Sequence, residues 1–199
     1  MTRVFVTGTD TGVGKTWVSA WLTRSWSAAY WKPIQSGTIE GRDADLVKRI
    51  APNATIFPSR HEFPDPLSPD QAAARVGVRI DLDDFILPEH DGPLVVEGAG
   101  GLLVPLDDLT LMADLMARLD LPLVLVARSG LGTINHTLLS VAEIRRRKLP
   151  LEGVILVGPE HRDNRDAIEH WGGVPVVAQL PPLPDLAALA AHPATSWRP

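Results

Sequence analysis

Nine consecutive residues, Gly8-Thr9-Asp10-Thr11-Gly12-Val13-Gly14-Lys15-Thr16, carry the plainest chemistry in this chain. Glycines let a backbone turn tightly, so that successive N–H groups face the oxygens of one anion. A helical pattern starts near Lys15 and would add the positive end of its dipole. Lys15 would neutralise the outer phosphates of a nucleoside triphosphate, and the Thr16 hydroxyl would ligate Mg²⁺. Gly8 and Gly14 enclose five residues, one more than in the usual phosphate loop. Strand, loop and helix nonetheless follow in the right order, and the loop reads as a nucleotide site. Glu97 ends the apolar run Leu94-Val95-Val96 and opens Gly98-Ala99-Gly100-Gly101. A carboxylate at that strand end suits Mg²⁺, directly or through water; the plainer alternative is one fixed by amides of the glycine turn. Asp43 and Asp45 open another helical pattern, where capping accounts for Asp43 and leaves Asp45 undecided.

These residues need strand ends to stand on. Continuous apolar runs recur at 4–6, 94–96, 123–126, 154–157 and 174–178, with a shorter strand expected at 28–31. Continuous rather than alternating apolar character marks strands buried on both faces. Helices are expected at 15–25, 43–50, 69–76, 81–87, 111–119, 133–147 and 165–171. The alternation predicts an α/β P-loop NTPase-type fold, a mostly parallel, doubly wound sheet flanked by helices, as a single domain over 1–199. Residues 52–69, rich in proline, read as an ordered surface loop, and 181–199 as a short tail with one alanine-rich helix.

Composition narrows the field. The chain has 199 residues, a hydrophobic share of 45%, a charged share of 22% and a net charge of −5. No basic field is available to hold nucleic acid or an anionic membrane. The absence of cysteine removes disulfides, thiolate metal sites and cysteine nucleophiles together. No stretch approaches ~18 uninterrupted apolar residues and the start lacks the pattern of a signal peptide, so a cytoplasmic enzyme is expected.

Four motifs then occur in order: Gly8 to Thr16, Lys32-Pro33-Ile34-Gln35-Ser36-Gly37, Val96-Glu97-Gly98-Ala99-Gly100-Gly101, and Leu131-Gly132-Thr133-Ile134-Asn135-His136-Thr137. Over residues 3–183 the chain resembles the dethiobiotin synthetases. The first motif is shared with cobyrinate amidases and related synthetases; the four together are specific. The resemblance implies a homodimeric ligase of biotin biosynthesis that converts 7,8-diaminononanoate, CO₂ and MgATP to dethiobiotin, ADP and phosphate. One amine captures CO₂ as a carbamate, which attacks the γ-phosphate, and the second amine closes the ureido ring on the resulting mixed anhydride. Two anions must meet, so fixed positive charge matters more than a strong base.

Lys32 carries over as the catalytic lysine, touching carbamate and γ-phosphate, with Lys15 beside it. Thr16, Asp45 and Glu97 match the family's magnesium positions. ATP would lie along Gly12, Val13, Gly14, Lys15, Thr16 and Trp17, with Asp45 and with Glu97, Gly98, Ala99 and Gly100. Its base would rest on Pro181, Pro182 and Leu183. Thr11 and Ser36 would hold the diamine or carbamate. Gly132, Thr133, Ile134 and Asn135, from the neighbouring subunit, would bind the substrate carboxylate; a helix start suits an anion, although a routine cap by Thr133 also explains the turn.

The chain departs from the family pattern in places. Gly12 replaces a glutamate found in some members, and Val157-Gly158-Pro159-Glu160 lacks an asparagine used near the purine. Asp70 stands where histidine is common, and the C-terminal region is short. Trp17 and Trp21 have the spacing of a buried helical stripe. Arg145-Arg146-Arg147-Lys148 sits at a helix C-terminus, where dipole complementarity explains it, and the six histidines show no metal spacing. Two competitors remain: a ParA- or MinD-like nucleotide switch, and an ATP-dependent ligase on another substrate. The switches carry an early loop lysine where this chain has Thr9-Asp10.

Overall fold

The computed structural model describes residues 2–199. The strands of the main sheet are β1 (Arg3–Gly8), β2 (Ala29–Trp31), β4 (Ile56–Phe57), β6 (Leu94–Glu97), β7 (Leu123–Arg128), β8 (Leu151–Val157) and β9 (Val176–Leu180). They pair in the order β4-β2-β6-β1-β7-β8-β9, every pair parallel. A second, two-stranded parallel sheet joins β3 (Ile34–Gln35) to β5 (His61–Glu62). Because the main sheet is parallel, the carboxyl ends of all its strands share one edge. The functional loops leave from that edge, and the central β1 delivers the phosphate loop to its middle.

Side chains alternate along β1 between two cores. Val4 and Val6 pack with Val18 and Trp21 of α1 (Lys15–Trp26) and Val47 of α2 (Asp43–Ile50). Phe5 faces the other way, onto Met112 and Leu115 of α4 (Met112–Leu119) and Ile144 of α5 (Thr133–Arg146). Both layers being apolar, the strands read as unbroken hydrophobic runs. Helices α3 (Pro69–Arg75) and α6 (Arg162–Gly172) belong to the second layer, and α7 (Leu186–Ala191) to the first.

Three expectations need correcting. The helix expected at 81–87 is only a 3₁₀ turn, Leu82–Asp84. Asp81 accepts the Asp83 N–H at 2.9 Å, and Pro88 disfavours helical backbone at Leu87. The segment 52–69 is not loop throughout, since it supplies the edge strand β4 and the strand β5. The last strand runs from Val176 to Leu180 rather than from 174 to 178, since Pro175 has no N–H to give the ladder.

The tail beyond α7 lies against α1. Trp21 Nε1 donates to the Pro193 carbonyl at 2.8 Å and Trp26 Nε1 to the Trp197 carbonyl at 2.9 Å. The Trp26 and Trp197 rings meet at 5.7 Å. No helix among the described residues is long and apolar enough to cross a membrane.

Candidate active site

The loop between β1 and α1 turns where only glycine is comfortable. Gly14 has φ 101°, and a Cβ there would stand 3.0 Å from Val157 Cγ1. Lys15 curls back across the loop and donates from Nζ to the Asp10 carbonyl at 2.8 Å. The Asp10 carboxylate accepts the Thr11 N–H at 2.7 Å and Arg128 at 3.2 Å. Burial pulls the Lys15 ammonium down to about 8, with repulsion from Lys32 adding to it and attraction to Glu97 and Asp43 opposing it.

Opposite the loop lies a buried polar cluster centred on Glu97, which is fully buried at the end of β6. Its Oε1 accepts the Thr16 hydroxyl at 2.9 Å and Lys32 Nζ at 3.0 Å, and its Oε2 accepts the Tyr30 hydroxyl at 2.9 Å. Lys32, just past β2, also donates to Asp43 at the start of α2. Burial alone would lower the Lys32 pKa, but Glu97 and Asp43 outweigh it and hold the ammonium above its ordinary range. The Tyr30 phenol is pushed well above its ordinary value, by burial first and then by Glu97, so it stays a neutral donor.

Asp43 is therefore no ordinary helix cap. Gln35 Oε1 accepts the Asp43 backbone N–H at 3.1 Å, and the Asp43 carboxylate bonds Lys32 rather than a backbone N–H of the first turn. Asp45, the acid expected in the metal set, lies two residues on, exposed at the wall of the same cavity. Asp43 rather than Asp45 joins Glu97 through Lys32.

Two adjoining cavities open at this edge. The larger, about 1070 Å³, is lined by both lysines, Thr16 and Glu97, and by Thr11 and Ser36. Ala99 and Gly100 complete its glycine-turn wall. The Ser36 hydroxyl is buried without a partner among the described residues, as expected of a group kept for a ligand. The smaller cavity, about 330 Å³, is lined by Val13 and by Pro181, Pro182 and Leu183. Gly12, Gly14 and Trp17 wall both. Trp17 is thus half-buried between cavities, while Trp21 is buried against the tail, and the two do not form one buried stripe. Gly98 packs behind the wall, where a Cβ would come within 2.8 Å of Phe5 Cε1. Gly132, Thr133, Ile134 and Asn135 line neither cavity; they start α5 beside the fully exposed Leu131.

Lys15 and Lys32 against Glu97 and Asp43 make a cluster with no net charge. A triphosphate arriving there calls for another cation. Among the described residues no three His, Cys, Asp or Glu side chains form a metal cage. The Thr16 hydroxyl and the Glu97, Asp43 and Asp45 carboxylates on this cavity are all hard oxygen donors, which fits Mg²⁺.

Comparison with known proteins decides what kind of site this is. Residues 2–190 match the AAA domain family. The ATP-dependent dethiobiotin synthetase BioD of Paramagnetospirillum magneticum is 58% identical over 188 residues, 94% of this chain and 92% of that protein. That of Agrobacterium fabrum is 47% identical over 194 residues, 96% and 92% of the two chains. The chain belongs to the ATP-dependent dethiobiotin synthetase family. A biotin biosynthesis bifunctional protein BioCD from Bordetella avium is 55% identical over 183 residues, 90% of this chain but 39% of that longer protein.

Solved structures speak to shape only. A ParA family ATPase from Chlorobium tepidum superposes with TM-score 0.57 at 15% identity, covering 96% of this chain and 90% of its own. The cell division ATPase MinD of Pyrococcus furiosus gives 0.53 at 17%, covering 91% and 84%. They share the P-loop fold with the dethiobiotin synthetases, and fold does not fix function. Identities of 46–58% to dethiobiotin synthetases favour the synthetase reading over a nucleotide switch.

Proposed function

We propose that this chain carboxylates 7,8-diaminononanoate with CO₂ and closes the ureido ring at the expense of ATP, in the cytoplasm and as a homodimer. The observation that carries the reading is Lys32, held by Glu97 at 3.0 Å and by Asp43, in one cavity with Lys15. Two ammonium groups from different strand ends flank the space where two anions must touch. The phosphate loop and Lys15 receive the triphosphate. Thr11 and Ser36 hold the diamine or its carbamate by hydroxyl hydrogen bonds. Lys32 turns from its carboxylates to the carbamate oxygen and the γ-phosphate, lowering the repulsion between them.

Carbamate attack on the γ-phosphorus releases ADP and gives a carbamic–phosphoric anhydride. The second amine then attacks its carbonyl carbon, phosphate leaves, and the amine proton passes to solvent. The substrate brings its own nucleophile, so no nucleophilic side chain is needed. Thr16 and Glu97, with Asp45 or Asp43 from the wall of the same cavity, would hold Mg²⁺, which when bound would neutralise triphosphate charge and orient the γ-phosphoryl group. Gly132 to Asn135, which line neither cavity, are left to receive the substrate carboxylate of a second subunit.

Isotope-labelled bicarbonate tests the reading. With ATP and 7,8-diaminononanoate, ¹³C supplied as bicarbonate should appear in the ureido carbonyl of the product. ADP formation without labelled product would overturn the assignment.

A further inference from the structure

The side chains that donate to Glu97 differ in where they stand. Thr16 and Lys32 donate to Oε1 at 2.9 and 3.0 Å, and both line the larger cavity. Tyr30 donates to Oε2 at 2.9 Å from a place that is fully buried and opens onto neither cavity. Strand pairing sets this up. Tyr30 lies opposite Val95 in the β2–β6 register, and the two-residue period puts Glu97 on the same face as Val95. The phenol therefore reaches Glu97 diagonally, within the core that Val4 and Val6 share with α1 and α2.

The proposed reaction draws on both Oε1 donors. Lys32 turns to the carbamate and the γ-phosphate, and the Thr16 hydroxyl turns to Mg²⁺. Tyr30 then remains as the one side-chain donor to Glu97 among the described residues. An ionised carboxylate only accepts, so the phenol donates, and without it Glu97 would be a buried carboxylate with no side-chain donor. The terminal torsion of a glutamate is broad, so its own rotamer does not fix which oxygen faces the cavity. Hydrogen bonds from outer groups orient carboxylate metal ligands, and removing such a partner costs about 10–100-fold in metal affinity or activity.

We infer that Tyr30 is a positioning residue: it pins Glu97 by Oε2 and so keeps Oε1 aimed into the cavity that receives Mg²⁺ and the triphosphate. The inference rests on the proposed function for the departure of Lys32 and Thr16 from Glu97. Tyr30 touches no reactant and acts through Glu97 alone. A core tyrosine whose hydroxyl is only satisfied would affect stability and leave the Mg²⁺ requirement where it was.

Tyr30→Phe removes the hydroxyl and keeps the ring. The test compares calorimetric ATP affinity of parent and variant, each with Mg²⁺ and with EDTA. The variant should lose about tenfold or more in affinity with Mg²⁺ and little with EDTA. The Mg²⁺ midpoint of diamine- and bicarbonate-dependent turnover should rise by a similar factor. Trp197→Ala, destabilised away from the site, should keep the parent's midpoint. Equal losses with and without Mg²⁺, or lower stability with an unshifted midpoint, overturn the inference. Tyr30 is the one tyrosine of the chain, so ¹³Cζ-labelled tyrosine gives a single signal in the parent itself. Slow exchange of its hydroxyl proton should persist when MgATP binds; its loss overturns the role even if Tyr30→Phe does not fold. If the parent forms no product, the proposed function falls, and the calorimetric comparison still decides Tyr30.

Discussion

Replacing Lys32 by methionine keeps much of the side chain's bulk and removes its charge. Lys32 is 5% exposed and bonded to two carboxylates, one of them, Glu97, fully buried. Breaking a buried pair by deleting one partner costs about 3–5 kcal/mol when the remaining charge is stranded. Here Glu97 keeps the Thr16 and Tyr30 hydroxyls, and the Asp43 side chain, 32% exposed, can turn to water. The expected loss is therefore smaller, about 1–3 kcal/mol. For a chain of this length that lowers Tm by roughly 3–10 °C. Turnover should fall much further, by about 10²–10³-fold, because the anionic transition state loses a fixed cation.

Urea unfolding and steady-state turnover of the same preparation separate the two effects. Adding Glu97→Gln to Lys32→Met should recover part of the stability, since no buried charge is then unpaired, and none of the activity. A single variant that unfolds at the parent's urea midpoint would refute the buried-pair argument. One that turns over within a few-fold of the parent would refute the catalytic role.

Other consequences follow from the same geometry. Lys15 titrates near 8 when folded, against an ordinary 10.5, so the unfolded chain binds the extra proton between those values. Its contribution makes the nucleotide-free protein gain stability as pH rises from about 8 to 10.5, and Lys15→Met should flatten that slope in urea titrations. At pH 8 ATP binding should take up about half a proton, seen as buffer-dependent calorimetric enthalpy that fades at pH 7; equal behaviour at both would contradict it. Tyr30→Phe leaves Glu97 Oε2 without its 2.9 Å donor and should cost about 1–3 kcal/mol in chemical denaturation, an unchanged midpoint counting against the cluster. Trp197→Ala removes the ring against Trp26 and should cost about 1 kcal/mol with little change in turnover, whereas a large kinetic loss would show that the tail does more than brace α1.

The sequence displayed the phosphate loop, Lys32, Glu97 and most strands because their signals are local. A glycine turn, a strand-end acid and an unbroken apolar run each fit within a few residues. Asp43 was hidden because an aspartate opening a helix looks like a cap. Only the folded chain shows Gln35 reaching its N–H and Lys32 its carboxylate. Tyr30 reads as core in an aromatic strand until its hydroxyl is found on Glu97, a partner distant in sequence. The two-residue strands β3, β4 and β5 are too short to carry periodicity, and pairing with distant partners makes them. The hold of the tail on α1 depends on Trp21 and Trp26 donating to carbonyls at 193 and 197, which spacing cannot anticipate.

ADP release under single omissions probes the central claim most directly: the two lysines exist to bring a carbamate to a γ-phosphate. The account predicts rapid release with ATP, Mg²⁺, bicarbonate and 7,8-diaminononanoate together, and only background when either bicarbonate or the diamine is left out. Undiminished release without the diamine would contradict it.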